Sequence, residues 1–498
     1  MTTNDTRHDP APRFQEERVQ SGIARLDYIL KGGFLKGGTY AIYGPPGAGK
    51  TILANQFCYN NARREERRSV YLTVLAESHG KMLKHLRPMS FFDAAAVGRQ
   101  VKYIAAYQTL KDQGLGGLLQ LVRRTLAAER PSILVMDGFD ALEHLASSPQ
   151  EAREFLHQLQ ASTALTDTTT LLCVVSHGPE PRRGENTLVD GVVELSDQLI
   201  GPRGVRELTV HKFRGSDYLR GRHEVEITAD GMQIHPRTEV QFDRPPQDAT
   251  EERVRMAFGV PRLDEMMQGG VPSGSALALL GAPGAGKTTL GLSFLIEGAR
   301  QGQKGVYFGF YEPPPRLVEK ARSMGLELEK FVAAGMIELV WQPPLEHFMD
   351  SLAEQLLEKV RGEQAPRRRL FIDGIEGFRA AALYQERMPR FLSALTNQLR
   401  MQDVTTLVSE ELALFRPHID MPNPELANVV ETVVLLRYVE LKSQLRRLVS
   451  VMKMRESRHD TSIREFRITD RGIDVQGSFE SAEAILSGEA RLAGGSPP

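Results

Sequence analysis

Short apolar runs alternate with helix-length amphipathic stretches along this chain, and the whole alternation occurs twice. GGTYAIYG and SALALLG are apolar runs that stop on glycine, and each leads into a helical stretch, KTILANQFCYNNARR or KTTLGLSFLIEGARQ. Three more pairs of runs follow in the same order: SVYLTVL and GVYFGFY, SILVMDGF and RLFIDGI, TLLCVVS and TTLVSE. Apolar runs of this length between helices predict strands buried on both faces, which is the signature of a parallel sheet. After the fourth run each half turns to β-rich patterns, RELTVHKFRGS and RRLVSVMKMRES, which predict hairpins closing the sheet edge. The expected class is α/β: two tandem domains, each a mostly parallel sheet covered by helices, with late β-hairpins.

Landmarks confirm the duplication. Asp27 and Asp264 lie 237 residues apart, as do Lys50 and Lys287; Glu77 to Glu312 is 235, Asp137 to Asp373 is 236, and Lys212 to Lys453 is 241. A period of roughly 240 residues is too long for a solenoid repeat and suits a whole domain. A tail over 1–17, a first domain over 18–235, a polar, proline-bearing linker over 236–251, a second domain over 252–485 and a short tail over 486–498 are expected.

Composition narrows the functions. Among 498 residues, 62 Lys and Arg balance 63 Asp and Glu, so no global charge favours nucleic acid or a membrane surface. Two cysteines, Cys58 and Cys173, exclude a disulfide scaffold and a CxxC metal site and suit a reducing compartment. No apolar run reaches about 18 residues and the first residues lack an apolar core, so a soluble, cytoplasmic protein is expected.

The chemistry sits at corresponding places in the two halves. Gly44, Gly47, Gly49, Lys50 and Thr51, and likewise Gly281, Gly284, Gly286, Lys287 and Thr288, satisfy G-x-x-x-x-G-K-[ST] between a strand and a helix. Glycine lets backbone N–H groups converge on phosphate oxygens, the helix N-terminus adds its dipole, the lysine neutralises phosphate charge, and the threonine hydroxyl ligates Mg²⁺. These residues predict ATP and Mg²⁺ as cofactors. Asp137 and Asp373 end the apolar runs ILVMD and LFID, where an aspartate holding the Mg²⁺ shell belongs, although aspartates also commonly end strands in turns. Glu77 and Glu312 follow the second strand of each half. At the C-terminal end of a strand beside the phosphate-loop strand they face the γ-phosphate and can position and polarise water; the alternative is a solvated loop glutamate. Lys212 with Arg214, and Lys453 with Arg455, place two cations on one face of a late strand. That suits an anion supplied by a neighbouring subunit, and it suits equally an exposed basic strand edge. Trp341 and the phenylalanines read as core residues, and His177 and His459 form no metal constellation.

The tandem phosphate loops, the SGxxxLDxxxxGGxxxG leader and the K-x-R pairs resemble the KaiC family of RecA-like ATPases. LLRYVELKSQLRRLVSVMKMRESRHDTSIREFRITDRG is similar almost throughout to the end of a KaiC second domain. The resemblance implies two tandem RecA-like P-loop domains and a two-tiered homohexamer with ATP between subunits. It also implies K-x-R pairs acting in trans and a KaiB-like or other signalling protein as partner. The departures are specific. Ala76 and Tyr311 stand where the family carries the first of two adjacent glutamates. Ala427-Asn428 stands where it carries its autophosphorylated Ser-Thr pair, and the C-terminal extension is short. A regulatory ATPase switch without that phosphorylation is therefore expected. Its rivals are an autokinase using Ser409 or Thr432, and a nucleic-acid motor using the basic run Arg437, Lys442, Arg446, Arg447, Lys453, Arg455 and Arg458. Thr432, in VVETVVLL, reads as a buried strand residue.

Overall fold

The computed structural model describes residues 17–64, 67–75, 79–176, 188–241, 253–362, 367–412, 424–441, 443–455 and 457–478. The chain divides into two compact units, Met1–Arg237 and Thr238–Pro498.

In the first unit the main elements run β1 (Thr39–Gly44), α1 (Lys50–Ala62), β2 (Ser69–Thr73), β3 (Val101–Ala105), α2 (Tyr107–Glu129), β4 (Ile133–Asp137), α3 (Pro149–Ala164), β5 (Thr169–Val175), β6 (Gly191–Ile200), β7 (Arg203–Phe213), β8 (Arg222–Thr228) and β9 (Gly231–His235). Nine strands form one sheet in the order β9-β8-β7-β6-β1-β5-β4-β2-β3. From β6 to β3 every neighbouring pair is parallel, and from β6 to β9 every pair is antiparallel. The second unit repeats this with β10 (Ala276–Gly281), α4 (Lys287–Arg300), β11 (Gly305–Gly309), α5 (Pro314–Ser323), β12 (Ile337–Trp341), α6 (Met349–Arg361), β13 (Arg369–Asp373), α7 (Met388–Met401), β14 (Thr405–Glu411), β15 (Thr432–Leu441), β16 (Gln444–Met454), β17 (Arg464–Thr469) and β18 (Gly472–Ser478). Its order is β12-β11-β13-β14-β10-β15-β16-β17-β18. The predicted architecture of parallel sheets with late hairpins is the observed one.

The period of two along a strand explains why the central strands are continuously apolar. Leu277 and Leu279 face one core with Phe294, Tyr307 and Phe371, while Ala278 and Leu280 face a second core with Phe308, Leu352 and Phe391. Every residue of β1 and of β10 is buried. A one-residue slip would exchange the two faces, so packing on both sides fixes the register.

Each leader is held by its aspartate. Asp27 accepts from the Ser21 amide at 2.8 Å and the Gly22 amide at 3.1 Å, and Asp264 accepts from Phe258 at 2.7 Å and Val260 at 3.1 Å. The turn between needs a left-handed residue, supplied by Gly22 (φ 74°) and Gly259 (φ 73°). Burial is the main force raising Asp264 to about 6, opposed by its backbone hydrogen bonds and reinforced by nearby Glu297. The folded form therefore holds the proton more tightly than the unfolded chain, and this group adds stability as pH falls through about 6 towards 4. Thermal unfolding between pH 7.5 and 5 checks this: Asp264→Asn is expected to remove part of the acid-side gain in melting temperature shown by the parent chain.

Candidate phosphate sites of the two units

The two loops take the same shape. Gly47 (φ 85°) and Gly49 (φ 103°) turn the chain from β1 into α1, as Gly284 (φ 72°) and Gly286 (φ 106°) turn it from β10 into α4. A side chain on Gly49 would also meet the Met232 methyl at 2.7 Å. Lys50 Nζ donates to the carbonyls of Gly44 at 2.7 Å and Pro45 at 2.9 Å, and Lys287 Nζ to those of Gly281 at 2.7 Å and Ala282 at 3.0 Å. Burial is the main force pulling both lysines below their ordinary values. An ammonium held by loop carbonyls beside a glycine loop that opens a helix N-terminus suits a polyphosphate.

The strand-ending aspartates meet the loop threonines. Thr51 Oγ1 lies 3.4 Å from Asp137 Oδ2, and Thr288 Oγ1 lies 3.0 Å from Asp373 Oδ2. Tyr71 donates to Asp137 at 2.5 Å and Tyr307 to Asp373 at 3.0 Å, contacts that the motif reading missed. A tyrosine in the middle of an apolar strand is the available signal, because a buried phenol requires a partner. Burial raises Asp137 against the opposing hydrogen bond from Tyr71. Ser409, itself 1% exposed, donates to Asp373 Oδ1 at 2.8 Å. Among the described residues no cluster of three or more His, Cys, Asp or Glu suits a metal ion. One hydroxyl and one carboxylate per site fit a hard cation that keeps its waters and binds phosphate oxygens, as Mg²⁺ does.

The strands that lead to the two glutamates lie elsewhere in the sheet than expected. The strand preceding Glu312, β11, is not beside the phosphate-loop strand: β13 and β14 lie between it and β10, and β4 and β5 likewise separate β2 from β1. This is the strand order of a sheet whose aspartate strand is itself one place removed from the loop strand. Glu312 pairs with Lys320 of α5 at 3.0 Å, and Glu77 lies outside the described residues. The carboxylate ending the strand next to β10 is Glu411, opposite Gly281 in register, a residue the motif reading missed. Its amide donates to Glu376 at 2.8 Å, as the Val175 amide donates to Asp140 at 3.2 Å in the first unit.

The K-x-R pairs fall at the opposite end of the sheet from their own loop. Each lysine belongs to its strand and each arginine follows the strand end. Lys212 Nζ donates to the Val189 carbonyl at 2.6 Å, and Lys453 Nζ to that of Val430 at 2.9 Å. The Arg214 amide donates to the Asp190 carbonyl at 2.8 Å, while Asp190 Oδ2 accepts from Thr39, the first residue of β1, at 2.9 Å. Arg455, Glu431 and Ala276 repeat the arrangement at 2.9 and 2.8 Å. Five residues of strand, about 16 Å at 3.3 Å each, thus separate the level of each arginine from the start of its own loop.

Other expectations resolve individually. Trp341 is not a core residue: it ends edge strand β12 and is 42% exposed. Thr432 is fully buried, as read, at the start of β15. Asn428 is exposed on the short helix Pro424–Val429. In the basic run, Arg446 pairs with Glu465 at 3.0 Å and Arg447 stacks on Tyr438 at 5.4 Å; Lys442 and His177 lie outside the described residues.

A central loop strand flanked by parallel strands, a glycine loop opening a helix, and an aspartate on the next-but-one strand define a RecA-like P-loop NTPase, here twice. The chain belongs to the KaiC family: the family model described as "ATPase: KaiC" matches residues 19–239 and 256–480. Its relatives include the circadian clock oscillator protein KaiC of Parathermosynechococcus lividus, 27% identical over 484 residues, covering 95% of this chain and 87% of that protein. KaiC of Synechococcus elongatus is 26% identical over 95% of this chain and 91% of its own length, and KaiC 1 of Synechocystis is 26% identical over 97% and 94%. Family membership carries ATP binding with it.

If each loop is a nucleotide site, Lys50→Ala and Lys287→Ala should each remove one of two nucleotides bound per chain. Calorimetric titration with a non-hydrolysable ATP analogue reads the stoichiometry; two nucleotides retained in either variant would contradict the assignment.

Proposed function

We propose that this protein is a KaiC-type regulatory ATPase: a homohexameric switch that binds Mg²⁺ and ATP at both loops, hydrolyses ATP, and presents its nucleotide state to a KaiB-like or other signalling protein in the cytoplasm. One observation carries the reading. In both units the K-x-R pair lies a strand length away from its own phosphate loop, so its cations cannot reach a nucleotide on that loop and suit one held by a neighbouring subunit. Burial, followed by the neighbouring arginine, lowers Lys212 and Lys453, in keeping with cations held close together for such an anion.

Within each site the loop glycines and Lys50 or Lys287 bind the polyphosphate. Thr51 with Asp137, and Thr288 with Asp373, would hold Mg²⁺, which supplies charge neutralisation at the phosphate oxygens when bound. Glu77 and Glu312 orient water for attack, and Lys320 fixes the direction of the Glu312 carboxylate. Arg214 and Arg455 complete the neighbour's site by stabilising charge on the transferred phosphoryl group.

Autophosphorylation is absent from this reading. Ala427 has no hydroxyl, Asn428 has an amide, Thr432 is buried, and the Ser409 hydroxyl is engaged by Asp373. A nucleic-acid motor is disfavoured because Arg446 and Arg447 already have partners within the unit.

Incubation with γ-labelled ATP tests both parts. Inorganic phosphate should appear, with no stoichiometric label on any peptide of 420–432. Label on that segment would restore an autokinase, and absence of released phosphate would remove the ATPase. In the doubly substituted Glu77→Gln, Glu312→Gln chain, release should fall by about 10² or more while nucleotide stays bound.

A further inference from the structure

The two units hold the aspartate of their phosphate sites differently, and the difference falls on one position. In the second unit Ser409 Oγ donates to Asp373 Oδ1 at 2.8 Å and accepts from the Gly374 amide at 2.8 Å. Oδ2 is left to Thr288 and Tyr307, each at 3.0 Å. Both oxygens of the carboxylate are thus tied, so it cannot rotate about its Cβ–Cγ bond without losing a donor. The Phe139 amide bonds to the Cys173 carbonyl, and the Ile375 amide to that of Ser409, both at 3.0 Å, which identifies Cys173 as the first unit's counterpart of Ser409. There the aspartate takes its bonds from Tyr71 at 2.5 Å, from Thr51 at the longer 3.4 Å, and from the amide of Gly138. A thiol is a weak donor beside a hydroxyl, and a wholly buried one such as Cys173 offers nothing stronger.

We infer that Ser409 is a positioning residue that fixes the metal-facing oxygen of Asp373, and that Cys173 in the same place leaves the first site with a weaker hold on the divalent cation that accompanies nucleotide. The inference rests on reading Thr288 with Asp373, and Thr51 with Asp137, as Mg²⁺ sites. The chemistry is that of an outer-shell partner: a carboxylate whose second oxygen is anchored presents its first in one orientation, and loss of such a partner typically costs about 10- to 100-fold in metal affinity. The threonine–carboxylate pair is at 3.0 Å in the anchored unit and 3.4 Å in the other, while the tyrosine donor to the same oxygen is at 3.0 Å in the anchored unit and 2.5 Å in the other, so the oxygen facing the metal is held by a different balance of donors in each. Neither residue belongs to a P-loop motif, and only the comparison of the two units exposes the exchange.

The test titrates Mg²⁺ into the full-length, EDTA-treated chain with a fluorescent ADP analogue and reads the metal midpoint of nucleotide binding. A midpoint does not move when some of the protein merely fails to fold, since only the amplitude falls. The parent chain should show two steps. Ser409→Ala should move the low-Mg²⁺ step upward about tenfold, Ser409→Thr should restore it to within about twofold, and Cys173→Ser should move the high-Mg²⁺ step downward. A Ser409→Ala curve that superimposes on the parent, or a single step that neither substitution moves, overturns the inference while leaving nucleotide binding in place. Binding that ignores Mg²⁺ in every chain overturns the metal-site reading itself, and this inference with it.

Discussion

Each unit is organised by a central strand that is hydrogen-bonded along both edges and packed on both faces. β1 and β10 have no solvent-facing side to absorb a change of register, so their two ends are fixed in space relative to everything paired with them. The C-terminal end delivers a glycine loop to a helix start. The N-terminal end is clamped by the carboxylate of Asp190 or Glu431, which also fixes where the adjacent hairpin begins. Loop and K-x-R pair are therefore held apart by a rigid strand, and no side-chain rearrangement within one unit brings them together.

The duplicated units are not equivalent in chemistry. The second carries Ser409, Glu411 and Glu376 where the first carries Cys173, Val175 and Asp140, and Glu411 and Glu376 act on Lys287 where Asp140 acts on Lys50. The carboxylates near Lys287 oppose the fall in its proton affinity that burial imposes, with Glu411 the largest of the opposing charges.

Much of this was legible in the sequence. The apolar runs gave the strands because burial on both faces leaves no polar alternation to confuse them. The glycine loops, and the meeting of Asp137 and Asp373 with the loop threonines, were readable because backbone geometry admits few residues there. The order of strands across the sheet was not, since parallel connections of similar length permit several orders; Glu312 was accordingly expected one strand from the loop and lies three away. Ser409 was read only as a possible phosphate acceptor, and Glu411 not at all, because a strand seen in isolation shows two faces without showing what faces it. Trp341 was misread because aromatic character indicates burial only where a second layer covers the strand, and β12 is the sheet edge.

The central claim is that each site is completed by a neighbouring chain, and subunit mixing tests it most directly. One chain carries Lys287→Ala, with its own K-x-R pair intact; the other carries Lys453→Ala and Arg455→Ala, with its own loop intact. Each alone should have lost ATP hydrolysis at the second site. Mixed and allowed to exchange, they should regain a fraction of the parental rate, since an intact loop of one chain then faces an intact pair of the other. Activity no greater than the sum of the separate chains, after exchange is verified, would contradict the account and return the K-x-R pairs to a structural role within their own units.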